Sequence, residues 1–366
     1  MSNARADAPE QPQRGGSHQH AYAALTPELI LDALDAVGMR CDGRLAMLSS
    51  YENRVVLLHL DEPVTDATGQ KHSAVVAKFY RPERWSDAAI LEEHAFAFEL
   101  QAADIPMVAP LMINGTSLHH HAGFAYSISP KRGGRGPELD DWETLEWTGR
   151  FLARIHSVGA VKPFVHRPTL NTQTFGYDSM AWLLENDAIA LDVRSTWAKA
   201  CETALGIASK YIAAYDHTTL TLGNNHSKIA VLRLHGDCHP GNILWTPTDL
   251  PQGGPHFVDL DDARMGPAVQ DLWMLASGSR AQRAQQLSAL VEGYEQFRPF
   301  DRCELVLIEP LRTLRLIHYS AWLARRWSDP TFPINFPYFG SSDYWQGEVA
   351  MLHEQIEAMD TEPLMV

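Results

Sequence analysis

The order of strand-like and helix-like segments constrains the fold of this chain more than any other feature of its sequence. Before residue 130, short apolar or β-branched runs at 45–48, 55–60 and 74–80 are separated by turn-rich stretches. After the glycine- and proline-rich segment 130–137, segments of helical length dominate. This order predicts an α+β protein with a β-rich first lobe, a hinge and a mostly helical second lobe.

The three early runs predict consecutive antiparallel strands, followed by a helix over 87–102 and another strand over 124–129. The segments that predict helices in the second lobe are 142–157, 194–215, 280–297, 303–327 and 344–359. One pair of short strands, 242–246 and 256–260, is expected to interrupt them. We therefore expect a disordered tail over 1–21, a first lobe over 22–129 and a second lobe over 130–366.

The charge of the chain excludes two classes of partner. Its 366 residues include 30 Lys+Arg and 45 Asp+Glu, which gives a net charge of −15. Nucleic acids and anionic membranes need a basic face, so neither is an expected partner.

The sequence predicts a cytoplasmic protein without a membrane span. Its four cysteines are widely spaced, its first twenty residues contain no apolar core, and it has no long apolar run. We expect a monomer.

Chemistry-bearing residues are densest between His235 and Trp245. Asp237 and Asn242 stand five residues apart, the spacing of the H-R-D-x-x-x-x-N loop in protein kinases. Antiparallel pairing of the two short strands would bring Asn242 beside Asp259. Together these two side chains predict an oxygen-donor pair for Mg²⁺.

Lys78 lies in a strand-like segment and matches the phosphate-binding lysine of the V-A-I-K motif. Such a lysine is usually held by a glutamate on the following helix, where Glu92 and Glu93 are candidates. We favour Glu93, because Ala97 and Leu100 then follow it at i+4 and i+7 on one helix face. Glu92 could serve after a small rotation of the helix.

Several features of the sequence have two interpretations. The segment 48–54 is either a nucleotide-binding loop, with Ser50 contributing its hydroxyl, or an ordinary polar hairpin turn. The H-x-D-x-H cluster formed by His235, Asp237 and His239 could instead bind Zn²⁺ for hydrolysis. Asp271 is expected to have a structural role. Four arginines at 312, 315, 325 and 326 could meet an anionic substrate or form surface ion pairs.

With these residues in place, the chain resembles the aminoglycoside phosphotransferase-like branch of the protein-kinase superfamily, and within it the stress response kinase A family. The closer match is carried by segments 50–55, 78–85, 232–245, 257–275 and 309–327. The resemblance implies a kinase that uses ATP and Mg²⁺, phosphorylates Ser or Thr in a protein substrate and takes part in stress responses.

The resemblance also implies a role for each site residue. Asp237 and Asp259 would be the catalytic carboxylates, with Asp237 as the proton acceptor. Asn242 and Asp259 would be the Mg²⁺ ligands, Ser50 and Lys78 would contact ATP, and 125–129 would be the strand that meets adenine. Gly236 replaces the arginine of H-R-D, and 259–267 is too short for an activation loop. A small-molecule kinase acting on a choline-, homoserine- or aminoglycoside-like alcohol, and a pseudokinase, are the alternatives.

Overall fold

The first lobe of the computed structural model is an antiparallel sheet with two helices. The model describes residues 20–66, 69–212, 220–222, 225–227, 229–250 and 253–366, so most of the predicted tail lies outside the described residues. Five strands are arranged in the order β1-β2-β3-β5-β4. Their bounds are β1 Cys41–Met47, β2 Arg54–Thr65, β3 Lys71–Phe79, β4 His119–His121 and β5 Phe124–Pro130, with helices α1 Pro27–Ala36 and α2 Asp87–Ala102.

The central strand of this sheet is β3, so Lys78 in this strand lies between two neighbouring strands. Lys78 is paired with Val55 on one side and with Ser127 on the other. Apolar side chains such as Val75 and Phe79 fill the space under α1. Alternation of side chains along the strand therefore directs Lys78 to the opposite face of the sheet.

The second lobe contains the remaining helices and three short ladders. The helices are α3 Trp142–Gly159, α4 Asp178–Glu185, α5 Arg194–Ile212, α6 Val269–Trp273, α7 Arg280–Glu295, α8 Ile308–Arg325, α9 Thr331–Asn335 and α10 Ser342–Met359. The predicted segment 303–327 begins as a 3₁₀ turn, Arg302–Leu307, before α8. Residues 213–215 of another predicted helix lie outside the described residues.

The expectation of a single strand pair in the second lobe is wrong. The predicted hairpin is present as β9 Ile243–Thr246 and β10 Gly254–Phe257, but β8 Leu232–Leu234 also pairs with β11 Arg264–Gly266, and β6 Leu220–Leu222 pairs with β7 Asn225–Ser227. Strands of three residues are too short to show an alternating pattern in the sequence. The ladder of β8 and β11 matters for the candidate site. It pairs the strand that precedes residues 235–242 with the strand that follows residues 259–262.

Two glycines let α3 and α7 pack unusually closely. A Cβ atom on Gly149 would lie 2.1 Å from the Leu290 carbonyl oxygen, and one on Gly293 would lie 2.1 Å from the Glu146 carbonyl oxygen. Any larger residue at either position would force the helices apart. Among the described residues, no helix is both long and apolar enough to span a bilayer.

Candidate active site

Asp237 lies in the loop between β8 and β9 and contacts cationic or ionisable side chains. Arg315 Nη1 donates to Asp237 Oδ1 at 2.7 Å, and His239 Nε2 is 3.5 Å from Asp237 Oδ2. The Asn242 side-chain amide donates to the Asp237 carbonyl oxygen at 3.0 Å, which closes the loop. The five-residue spacing therefore forms a compact turn that leaves the Asp237 carboxylate at the surface of the cleft.

A buried carboxylate holds this loop in place. Asp271 accepts hydrogen bonds from the backbone N–H groups of His235 at 2.9 Å and Gly236 at 2.8 Å, and its Oδ2 lies 2.9 Å from His156 Nε2. Burial alone would raise the pKa of the Asp271 carboxyl, but these hydrogen bonds and the nearby histidines lower it overall. Asp271 thus braces the loop, which agrees with its expected structural role.

The glycine that replaces the arginine of H-R-D is required by the backbone. Gly236 has a φ of +84°, and a Cβ atom there would lie 2.2 Å from the Asp262 carbonyl oxygen. Only glycine combines that left-handed conformation with such a close approach.

Asn242 and Asp259 flank the hairpin instead of lying within its strands. Asn242 ends a 3₁₀ turn, Pro240–Asn242, and β10 is Gly254–Phe257, so the strand predicted over 256–260 begins and ends too late in the sequence. The Val258 N–H still donates to the Asn242 carbonyl oxygen at 3.0 Å, which keeps the two segments adjacent. Asp259 adopts a left-handed backbone, with φ 62°, that turns the chain away from the sheet.

Lys78 is surrounded by carboxylates from two elements. Its Nζ lies 2.9 Å from Asp259 Oδ1, 3.3 Å from Asp261 Oδ1 and 3.4 Å from Glu93 Oε1. Burial alone would lower the pKa of Lys78, but Asp259, Asp261 and Glu93 raise it well above its usual value. The lysine is therefore a permanent cation at the junction of the first lobe and the 259–262 segment.

Glu93, and not Glu92, is the glutamate that lies against Lys78. Glu92 instead accepts hydrogen bonds from the backbone N–H groups of residues 165–167, at 2.6, 2.8 and 3.0 Å. Arg167 Nη2 donates to Glu93 Oε2 at 2.7 Å, so Glu93 bridges Arg167 and Lys78. Arg167 is fully buried and also donates to the Asp261 carbonyl at 2.8 Å, which fastens α2 to the segment after Asp259.

The carboxylates beyond Asp259 are structural partners of arginine. Arg84 donates to Asp261 through Nη1 and binds Asp262 Oδ1 at 2.8 Å through Nη2. Burial alone would raise the pKa of Asp262, but Arg84 and Arg264 hold it well below its usual range. The run of aspartates from 259 to 262 is thus an organised ion-pair cluster and not a solvated strand end.

Ser50 lies half-buried in the loop between β1 and β2, and that loop is tied to the second lobe. Glu52 of the loop accepts a hydrogen bond from Trp322 Nε1 and another from Arg326 Nη2 at 2.9 Å. The Tyr51 ring packs edge-on against Phe336, with centroids 5.0 Å apart. We call this set of contacts the loop clasp.

A second part of the loop clasp is the buried carboxylate of Asp329. Arg54 Nη2 lies 2.8 Å from both Asp329 oxygens, and Arg81 Nη2 lies 3.1 Å from Oδ2. Both arginines belong to the first lobe, while Asp329 follows α8. The clasp therefore joins the loop, the end of β3 and the second lobe through charge-assisted hydrogen bonds.

Replacing Asp329 by asparagine is expected to reduce the free energy of unfolding by about 3 kcal/mol, because the mostly buried Arg54 loses its carboxylate partner and Arg81 keeps only Glu52. The Asp329 side chain is only 2% exposed. Urea unfolding followed by circular dichroism measures the change. Asp42→Asn is the matched control, since Asp42 pairs with Arg44, whose side chain is 71% exposed, and a much smaller change is expected. Equal losses in the two variants would contradict the clasp's contribution to stability.

The residues beside Asp237 suit a hard divalent cation. Because Asn242 Nδ2 is used by the Asp237 carbonyl, Asn242 Oδ1 remains available, and Asp259 binds Lys78 through Oδ1. Among the hydrogen bonds of the described residues, none involves Asn242 Oδ1 or Asp259 Oδ2. One carboxylate and one amide oxygen are a donor set that Mg²⁺ accepts, with water and phosphate completing its shell.

The zinc alternative is not supported by the geometry. His235 Nε2 donates to the Val258 carbonyl at 2.9 Å, so this ring nitrogen is already used. No group of three or more His, Cys, Asp or Glu side chains in the described part of the chain is arranged to hold a metal ion.

The structure brings Lys78, Glu93 and Asp259 into one ion-pair cluster and puts Asp237 and Asn242 in the adjoining loop, with Ser50 in the clasped loop. Residues 125–129 lie in β5 beside Lys78. Sequence reasoning missed Arg84, Arg167 and Asp329 entirely. Arg84 could have been found within the segment that carries the resemblance, whereas nothing local distinguishes Arg167 or Asp329.

Comparison with known proteins decides the family. The model of the phosphotransferase enzyme family matches residues 46–305. The chain belongs to the phosphotransferase enzyme family. Stress response kinase A of Escherichia coli (strain K12) is 41% identical over 346 residues, which cover 94% of this chain and 97% of that protein. The serine/threonine protein kinase RdoA of Salmonella typhimurium is 41% identical over 345 residues, again covering 94% of this chain and 97% of the relative.

A solved structure supports the fold of this phosphotransferase. The amicoumacin kinase in complex with AMP-PNP, Ca²⁺ and its ligand superposes with a TM-score of 0.63 at 20% identity, covering 92% of this chain and 94% of that one. These matches confirm the predicted resemblance and the predicted kinase-like α+β fold. The chain is a phosphotransferase of the kinase type.

Proposed function

We propose that this phosphotransferase is an ATP- and Mg²⁺-dependent protein kinase that transfers the γ-phosphoryl group to a Ser or Thr hydroxyl in a stress response. The observation that carries the proposal is the meeting of the Lys78, Glu93 and Asp259 cluster with the Asp237–Asn242 loop. A cation for phosphate, oxygen ligands for a metal and a carboxylate for the acceptor hydroxyl are the parts that phosphoryl transfer requires.

Each residue has a role in this proposal. Lys78, held by Glu93, would bind the phosphates, and Ser50 would add its hydroxyl from the loop between β1 and β2. Asp237 would orient the acceptor hydroxyl and take its proton as the bond to phosphorus forms. Asn242 and Asp259 would hold Mg²⁺, which neutralises charge on the phosphates when it is bound.

The chain's own backbone supports a site without an activation loop. After Asp259 the chain enters β11 at Arg264 and α6 at Val269, so this segment is held in regular structure. Because Gly236 replaces the arginine that would read a phosphorylated loop, we propose that loop phosphorylation does not switch this enzyme.

The protein-kinase assignment is supported by the names of the relatives at 41% identity, which are a stress response kinase and a serine/threonine protein kinase. Cys41, Cys201 and Cys238 are free thiols, which supports a cytoplasmic location. The rival function, a small-molecule kinase, follows from the same short segment after Asp259, since protein kinases dock peptides on an activation loop.

The proposal is tested by asking which acceptor receives the labelled phosphoryl group, a protein or a small alcohol. The purified chain is incubated with γ-labelled ATP and Mg²⁺, together with a cell extract and a panel of choline-, homoserine- and aminoglycoside-like alcohols, and with Asp237→Asn as the blank. We expect label in protein, on phosphoserine or phosphothreonine, and its loss when EDTA removes the metal. Label confined to a small alcohol would establish the rival function, and no label in any acceptor would indicate a pseudokinase.

A further inference from the structure

One arginine of α8 faces the reacting carboxylate, while its neighbours are engaged elsewhere. Arg312 binds Glu309 at 3.0 Å, and Arg326 binds Glu52 in the loop clasp. Arg315 Nη1 donates to Asp237 Oδ1 at 2.7 Å, and in the described part of the chain this is its one ion pair. The Arg315 side chain is 43% exposed, so its other N–H donors are accessible to a ligand.

This ion pair lies where the acceptor hydroxyl must approach. For Asp237 to take a proton, the hydroxyl must reach a carboxylate oxygen, and Arg315 already donates to Oδ1. The other oxygen, Oδ2, lies 3.5 Å from His239 Nε2. An acceptor therefore either competes with Arg315 for Oδ1 and loosens their contact, or binds Oδ2 with the guanidinium beside it.

The cost of loosening that contact depends on the charge of the acceptor. A carboxylate or phosphate beside the acceptor hydroxyl gives the displaced guanidinium of Arg315 a new partner. The planar guanidinium can donate two parallel hydrogen bonds to such a group. A neutral acceptor leaves the guanidinium without a replacement anion, and a cationic acceptor is repelled by it. Because the whole chain carries a charge of −15, attraction for an anionic acceptor has to come from such a local cation.

The surface next to Arg315 suits a polypeptide. Tyr319, one turn further along α8, is 37% exposed and stacks on Trp322 with centroids 5.5 Å apart. Tyr51 of the loop clasp and Tyr338 are also exposed, by 38% and 51%. Exposed tyrosines provide rigid contact area with a polar end, as is common where peptide chains bind.

We infer that Arg315 is a specificity-determining residue, which selects polypeptide acceptors that carry an acidic or phosphorylated residue beside the target Ser or Thr. The inference rests on the proposed function, since it assumes transfer to a hydroxyl at Asp237. It narrows the substrate class to acidic segments of proteins.

Three peptides test the inference, each with one serine flanked on both sides by Glu, Gln or Lys. For the wild-type enzyme with ATP and Mg²⁺, we expect kcat/KM for the Glu peptide to exceed that for the Gln peptide about tenfold or more, the effect of one charge-assisted hydrogen bond. The Lys peptide should be the poorest substrate. In Arg315→Gln the Glu/Gln ratio should fall towards one, whereas Arg315→Lys, which keeps the charge, should retain part of it.

Arg312→Gln is the matched control, because Arg312 is on the same helix but binds Glu309. It should keep the wild-type ratio. The inference fails if the wild-type ratio is near one or if the ratio persists in Arg315→Gln. A wild-type enzyme that labels protein in a cell extract but none of the peptides overturns this inference alone. A wild-type enzyme that labels neither the extract protein nor the peptides overturns the proposed function as well.

Discussion

Replacing Asp237 by asparagine is expected to reduce phosphoryl transfer about 10³-fold while nucleotide binding survives. The amide has nearly the shape of the carboxylate, but it cannot accept the proton of the acceptor hydroxyl or pair with Arg315. The Lys78 cluster is untouched by the change, because its carboxylates come from α2 and the segment after Asp259. Turnover with labelled ATP measures the first effect, and calorimetric titration with a non-hydrolysable ATP analogue measures the second.

Asp343→Asn provides the control for this experiment. Asp343 is an exposed aspartate in the first turn of α10, outside the cleft, and its replacement should leave both turnover and nucleotide affinity unchanged. Near wild-type transfer by Asp237→Asn would contradict the role proposed for Asp237. A parallel loss of nucleotide binding would also contradict it, since that would indicate a collapsed site.

Residues that sit in short local motifs could be identified from the sequence. Asp237 and Asn242 are recognised by their spacing, and Lys78 by its strand, because a turn or a strand determines where neighbouring side chains point. The choice of Glu93 over Glu92 depended on helix periodicity, and Glu93 is the one that lies against Lys78. Candidate residues of this kind can be chosen from the sequence, because the geometry of one turn, strand or helix determines where their side chains lie.

Residues that meet across the tertiary fold could not be identified in this way. Arg167 contacts Glu93 from 74 residues away, and Arg315 contacts Asp237 from 78 residues away. Such pairs depend on how α2 and α8 pack, and no spacing in the sequence records that packing. From the sequence, the arginines around α8 could either contact an anionic substrate or form ion pairs. Arg315 forms an ion pair, and its partner is Asp237.

The ends of the predicted hairpin show why boundaries are harder to predict than elements. The run 256–260 alternates polar and apolar residues only in part, yet its Phe257, Val258 and Leu260 favour a strand, and β10 stops at Phe257. Asp259 takes a left-handed conformation that no strand contains, and it is stabilised by contacts with Lys78 and with the Asp261 N–H at 3.4 Å. Functional sites are where local preference is most often overridden by tertiary contacts.

Two of the three carboxylates on Lys78, Asp259 and Asp261, are expected to respond differently to the same substitution. Asp259→Asn should reduce turnover about a hundredfold or more and raise the Mg²⁺ concentration for half-maximal activity, since the metal ligand that we propose loses its charge. Its effect on stability should be small, because the Asp259 side chain is 42% exposed and asparagine tolerates the left-handed backbone. Titration of activity with Mg²⁺ checks the first expectation, and urea unfolding checks the second.

Asp261→Asn is the matched comparison, because Asp261 also pairs with Lys78 but its side chain is only 4% exposed. Removing this charge takes one carboxylate partner from Arg84, which keeps Asp262, and one from Lys78, and it should reduce the free energy of unfolding by about 3 kcal/mol. A loss of stability in Asp259→Asn with an unchanged Mg²⁺ requirement would assign Asp259 to the structural cluster. A raised Mg²⁺ requirement in Asp259→Asn with stability retained would separate the metal ligand from the ion pairs that hold the segment after it.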